Sequence, residues 1–156
     1  MESPVLIPDG RQSATATLVA RGTARFLRSM GFACVAELPL PSGRRADLVA
    51  LNARGEVWIV EIKSSVADLR ADHKWHDYRA HCDRLFFAFT RDLPCEIFPA
   101  DTGLIVADAY GAHLHCEAPE HRLPAPTRKV MLLRFALAAA DRLNRLADPQ
   151  AEAMEF

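Results

Sequence analysis

Apolar and polar positions along this chain follow two periods, and the switches between them mark out its elements. From about Ser13 to Met30 the spacing is helical. Val19, Thr23, Phe26, Leu27 and Met30 fall on one face, and Arg21, Arg25 and Arg28 on another. Gly31 is the expected stop. Phe32 to Leu38 is short and apolar, hence a strand, and Pro39, Pro41, Ser42 and Gly43 mark a turn. Arg45 to Leu51 and Val57 to Lys63 read as the second and third strands. A polar stretch opens at Ser64 and Ser65, and a helix lies within Asp68 to Asp83, with Trp75, Tyr78 and Cys82 on one face. Arg84 to Thr90 is a fourth strand, and Leu93 to Asp101, holding two prolines, reads as a loop. Gly103 to Ala109 and His113 to Glu117 suggest a hairpin around Tyr110 and Gly111. Arg128 to Leu146 is a closing helix, and Asp148 to Phe156 a frayed end.

The pairing of the second and third strands follows from their turn. A three-residue hairpin loop typically ends on a left-handed glycine. With Ala53, Arg54 and Gly55 as that loop, Asn52 faces Glu56, Leu51 faces Val57 and Val49 faces Ile59. The same register sets Asp47 against Glu61 and Arg45 against Lys63. One face then carries Leu51, Val57, Val49 and Ile59 near the turn and Asp47, Glu61, Arg45 and Lys63 at the far end. The other face, Ala50, Trp58, Leu48, Val60, Ala46 and Ile62, is wholly apolar. A slip by one residue would send Asp47 to the opposite face from Glu61.

Charged residues are rarely buried unless paired or bound. Two carboxylates facing each other about 5 Å apart repel, and a divalent cation held by oxygen ligands relieves the repulsion. Mg²⁺ needs only one or two carboxylates, completed by water, a carbonyl and substrate phosphate. Lys63, one step along the same face, is placed to act on a metal-bound water or on charge at phosphorus. The chemistry this pattern suits is phosphodiester hydrolysis. The plainer reading is an ion-pair cluster in which Lys63 and Arg45 simply neutralise the acids.

Composition narrows the class. The 156 residues fit one domain, 1–156, with a core at about 13–147, and half of them are hydrophobic. A formal net charge of −1 argues against a histone-like binder but leaves room for a local basic face. Met1 to Gly10 lacks the pattern of a secretory signal, and no stretch nears the roughly 18 apolar residues of a membrane helix. A soluble cytoplasmic protein with no membrane partner is the expectation. Cys34, Cys82, Cys95 and Cys116 have no paired spacing and read as reduced, mostly buried thiols. The histidine groups (His73, His76 and His81; His113 and His115 with Cys116) lack the spacing of a structural zinc site. No phosphate-binding glycine loop or dinucleotide fingerprint is present, so no nucleotide cofactor is expected.

Asp47, thirteen further residues, then Glu61-Ile62-Lys63 resembles the PD-(D/E)XK nuclease superfamily. The element order resembles its restriction-endonuclease-like αβββαβ core, an α/β fold with a mixed central sheet flanked by helices. Here a hairpin and a C-terminal helix are added. The longer string RRADLVAL, EVWIVEIKSS, DHKWHDYRAHCDRLFFAF, DTGLIVAD resembles the MmcB family of bacterial DNA repair proteins, over roughly Thr15 to Leu146. The resemblance implies a Mg²⁺- or Mn²⁺-dependent DNA nuclease acting in repair. Asp47 and Glu61 would be metal ligands with the Ile62 carbonyl, and Lys63 the catalytic lysine. Ala46 stands where the superfamily's name puts proline. Many members carry a glutamate on the first helix, but no acid lies between Arg11 and Ala36, and Glu37 is the nearest substitute ligand.

Second helices of such nucleases supply polar side chains to the site, which makes Lys74 and Tyr78 candidates. Trp75 reads as core, with the Tyr78 hydroxyl at the rim. The Arg21, Arg25 and Arg28 stripe and Arg45 are candidates for phosphate contacts, although a merely solvated helix face is the default reading of the stripe. A homodimer would suit cleavage of both strands. The alternative to a nuclease is a module of the same fold that binds branched or damaged DNA, or a repair partner, with little or no cleavage.

Overall fold

Ser13 opens the first helix, α1 (Ala14–Ser29), by accepting the Ala16 N–H on its hydroxyl at 3.1 Å. This computed structural model describes residues 13–156; the opening segment 1–10 read above lies outside the described residues. Val19, Thr23 and Leu27 are buried as the helical period requires, joined by Ala16, Ala20 and Gly22. Met30, expected on that face, is instead the C-cap and 41 % exposed, because the helix ends beneath it.

The strands follow their predicted places closely. They are β1 (Ala33–Pro39), β2 (Arg45–Leu51), β3 (Val57–Ile62), β4 (Arg84–Phe89), β5 (Gly103–Ala107) and β6 (Ala112–Cys116). Among the described residues they form one mixed sheet in sequence order. β1, β2 and β3 run antiparallel, β3, β4 and β5 parallel, and β6 returns antiparallel as the expected hairpin. Asp108 closes that hairpin by accepting the N–H groups of Tyr110 and Gly111 at 2.8 and 2.9 Å. The loop expected at 93–101 contains a single 3-10 turn, Cys95–Ile97.

The helix expected within 68–83 is broken. α2 (Val66–Ala71) and α3 (Trp75–Tyr78) are separated by Asp72, which is extended at φ −84° and ψ 102°, and a 3-10 turn (Arg79–His81) follows α3. The closing helix, α4 (Ala125–Ala147), starts three residues early because Pro124 and Pro126 suit a first turn, where a missing N–H costs nothing.

The sheet is covered on both faces, giving the expected α/β architecture of a mixed sheet flanked by helices. α1 packs on Leu48, Ala50, Val60, Ile62 and Phe86. α4, through Met131 and Phe135, packs on Val35, Val49, Val57 and Ile59 on the other side, beside Tyr78 and Cys82. Ala46 was expected with Leu48 and Ala50 but joins this second cluster with Leu38. The alternation shifts at Glu37, a left-handed residue at φ 50° that the β1–β2 ladder skips between its pairs Ala36–Leu48 and Leu38–Ala46. All four thiols are free, Cys82 buried and Cys116 fully at the surface rather than inside.

Candidate functional site

Gly55, left-handed at φ 80°, and Asn52 build the β2–β3 turn as its sequence requires. Gly55 N–H donates to the Asn52 carbonyl at 3.0 Å, and the Asn52 side chain accepts from Arg54 and Glu56. The resulting register pairs Leu51 with Val57 and Val49 with Ile59, and its last ladder pair is Leu48 with Val60. Asp47 and Glu61 come next. There the carboxylates replace the main-chain ladder: Asp47 N–H donates to Glu61 Oε1 at 3.1 Å, and Ile62 N–H donates to Asp47 Oδ2 at 2.8 Å. The expected apposition of the acids is therefore present, carried by side chains. Arg45 and Lys63, expected opposite one another, lie beyond the ladder.

Glu61 is 3 % exposed. Burial first, and the adjacent Asp47 charge second, push its carboxyl well above the usual carboxylate range. The Lys63 charge acts the other way on Glu61.

Lys63 is 6 % exposed. Its N–H donates to the Ala88 carbonyl at 2.9 Å, so it continues the β3–β4 pairing although β3 ends at Ile62. Its ammonium lies 2.6 Å from Asp72 Oδ2 and 6.0 Å from the Phe87 ring centroid. The other Asp72 oxygen accepts the N–H groups of Lys74 and Trp75 at 2.8 and 3.1 Å. Burial opposes ionisation of Asp72, but the Lys63 ammonium and these two N–H groups hold it below the usual range. Asp72 is the residue that sequence reasoning missed. Its signal was an aspartate two and three positions ahead of a new helical start, the pattern of an Asx turn.

The Tyr78 hydroxyl donates to the Arg45 carbonyl at 3.2 Å. Burial, then the charges of Glu61, Asp47 and Asp72, raise it well beyond the normal phenol range, so it remains a donor. The site thus gathers Asp47, Glu61, Lys63, Asp72 and Tyr78. Glu37 lies on β1 in the stretch the ladder skips beside Asp47, but its carboxylate lies 3.5 Å from the Arg45 guanidinium, while Arg142 holds the Ala36 and Glu37 carbonyls. Lys74 is exposed on the segment between α2 and α3. Arg21, Arg25 and Arg28 are exposed on α1, across the sheet from the carboxylates, and are not brought to the site.

Two carboxylates, one oxygen of each already committed to an N–H, are a donor set that suits a hard divalent ion completed by water, a carbonyl and phosphate. Among the described residues no three His, Cys, Asp or Glu gather into a metal-holding group, so carbonyls, water and phosphate would have to complete the coordination.

Residues 3–150 match the family described as DNA repair protein MmcB-like. A solved protein of unknown function from Silicibacter pomeroyi is 42 % identical and superposes with a TM-score of 0.86, covering 93 % of this chain and 99 % of that one. No curated protein matches the sequence.

Proposed function

Because the chain belongs to the MmcB-like family of DNA repair proteins, we propose that it is a metal-dependent DNA nuclease of the PD-(D/E)XK type. One observation carries the reading: the buried Glu61 is locked beside Asp47 by reciprocal side-chain to backbone bonds, two residues before a buried lysine. A structural ion-pair cluster would set cations against these acids. Here, among the described residues, each acid accepts a backbone N–H beside the other, and the Lys63 ammonium, though its charge reaches Glu61, pairs with Asp72 at 2.6 Å.

In this reading Asp47, Glu61 and the Ile62 carbonyl hold Mg²⁺ or Mn²⁺. The ion would polarise the scissile phosphate and make a bound water more acidic. The two backbone bonds fix the carboxylates, so they need no reorganisation when DNA arrives. Lys63, paired with a carboxylate, serves as a cation, and its contribution is positive charge beside the phosphate rather than removal of a proton. The Tyr78 hydroxyl stays protonated and closes the rim.

A second reading, a DNA-recognition module with little or no cleavage, draws on the Lys63–Asp72 pair, which already occupies the ammonium. A nuclease assay separates the two. Single-stranded, duplex, flapped and four-way-junction DNA are incubated with Mg²⁺ or Mn²⁺ and either wild type or Lys63→Ala. Cleavage by wild type and none by the variant supports the nuclease. Metal-independent binding with no product from any substrate moves the function to recognition.

A further inference from the structure

The outer side of α4 is bare and apolar. Among the described residues ten large hydrophobic side chains are exposed; five of them lie on α4, and Met154 and Phe156 follow just beyond it. From Lys129 to Ala147 the exposed residues of the helix are apolar except Lys129 and Asn144. Monomeric proteins rarely expose so continuous an apolar strip. We propose that a second copy of this chain covers it, the two α4 helices packing antiparallel about a two-fold axis. The inference is independent of the nuclease reading.

Spacing comes first. Val130, Leu133, Leu137, Ala140, Asn144 and Ala147, all exposed, recur at alternating intervals of three and four residues. That is the period of a helix–helix seam, and Asn144 is the single polar residue on it, a device that fixes register and partner number. The strip also matches itself when reversed. With Leu137 set against Ala140 of the second copy, Val130 meets Ala147 and Leu133 meets Asn144, and the two-fold axis repeats each contact. Each layer thus sets a larger aliphatic side chain against a smaller one, which fills the seam without overpacking.

Charge comes second, and it chooses the direction. The first turn of α4 carries no acid, and Lys129 is the one exposed cation of the strip. Asp148 follows the last turn, with Glu152 and Glu155 after it. Antiparallel packing brings Lys129 level with Asp148 of the second copy and opposes the helix dipoles. Parallel packing would set lysine against lysine and acid against acid. The same three acids, beside one lysine, count against an anionic lipid surface. Area comes third. Val130, Leu133, Leu137 and Leu143 are 42 % to 67 % exposed, and 23 residues make a helix about 34 Å long. Two such strips facing each other bury on the order of 1,000 Å² in total, enough for a specific interface whose subunits still exchange.

Sedimentation equilibrium of the full chain between about 1 and 100 μM tests this. Wild type is expected to pass from monomer to dimer across that range. Leu137→Glu should weaken association at least about tenfold, whereas Leu18→Glu, at an exposed position on α1, should leave it unchanged. Asn144→Leu should tighten the dimer at least about threefold by removing the polar layer, a gain that guards against misfolding of the glutamate variant. Lys129→Glu should weaken an antiparallel pair at least about twofold, since the contact occurs twice; in a parallel pair it only exchanges one repulsion for another. A wild type that stays monomeric throughout overturns the proposal, and so does a dimer that Leu137→Glu leaves intact. A monomer that cosediments with phosphatidylserine vesicles also overturns it and assigns the strip to a lipid surface. A dimer indifferent to Lys129→Glu overturns the antiparallel order.

Discussion

Glu61 keeps an acid where ionisation is unfavourable. Burial and then Asp47 raise its folded pKa above the ordinary value it has in the unfolded chain. The folded state therefore holds the proton more tightly. The stabilising contribution is complete below the unfolded value and is lost as pH rises through the folded one. Metal-free wild type should lose melting temperature as pH rises from the ordinary carboxylate range toward that raised value. Glu61→Gln should flatten the dependence and melt higher near neutrality. Mg²⁺ should stabilise wild type in the same window and the variant much less, since a ligand that binds only the native state shifts the equilibrium toward it. Thermal melts across pH, with and without metal, check all three. Above the raised Glu61 value, where both acids would be ionised, Asp47→Asn should likewise stabilise the metal-free fold by about 1 kcal/mol as the repulsion disappears, while abolishing cleavage. A destabilised Asp47→Asn would instead identify a structural cluster. Asp47 and Glu61 could be matched from sequence because one turn glycine fixes their register. Asp72 could not, because its partner Lys63 belongs to another element and no local period connects them.

At the scale of elements, strands were legible to within a residue or two because each is a short, largely apolar run bounded by turn residues, and β3, β4 and β5 are buried almost throughout. The second helix was not. Trp75, Tyr78 and Cys82 do share one buried side, as their spacing indicates, yet a 3-10 turn carries part of that spacing and an extended Asp72 interrupts the helix before it. The break is what aims Asp72 at Lys63. α2 is held by a box of reciprocal bonds: Ser65 Oγ accepts the Asp68 N–H, and Asp68 Oδ2 accepts the Ser64 N–H, both at 3.0 Å. Ser65→Ala should cost about 1 kcal/mol and, by loosening so short a helix, lower cleavage more than its effect on stability alone would. Comparing rates well below the melting temperature tests this. α1 offers a sharper case. A methyl group at Gly22 would overlap the Asp108 carbonyl oxygen and come within 2.6 Å of the Gly111 oxygen, both backbone atoms of the β5–β6 turn. Gly22→Ala should destabilise by about 3 kcal/mol, at the upper end of overpacking costs because backbone yields least. Denaturant midpoints measure it.

Across the whole molecule, one buried carboxylate ties the far end of the sheet together. Asp83 accepts the Val57 and Leu123 N–H groups at 2.8 and 2.9 Å and both terminal nitrogens of Arg128 at 2.7 Å. Arg128 also reaches the Gly55 carbonyl at 2.7 Å. The clasp thus joins the β2–β3 turn, the start of β3 and the first turn of α4, contacts separated by up to 73 residues. No sequence period could show it, and Asp83 and Arg128 read only as element boundaries. Burial opposes the Asp83 charge, but the Arg128 bonds and the two N–H groups hold its pKa below the ordinary range. Its contribution is therefore present above the unfolded value and lost as pH falls through the folded one. Arg128→Met strands a buried carboxylate and should cost about 3–5 kcal/mol, with less stability left to lose on acidification. Val57 begins β3, whereas Glu61 and Lys63 stand at its other end. DNA binding per folded molecule should therefore stay at the wild-type level in Arg128→Met. Arg128 also lines a cleft with Arg54, Arg84 and Arg122, where Glu56, Glu120 and Asp83 pair with Arg54, Arg84 and Arg128. Lost DNA binding at unchanged stability would overturn the structural role and move the phosphate contacts to that mixed-charge cleft.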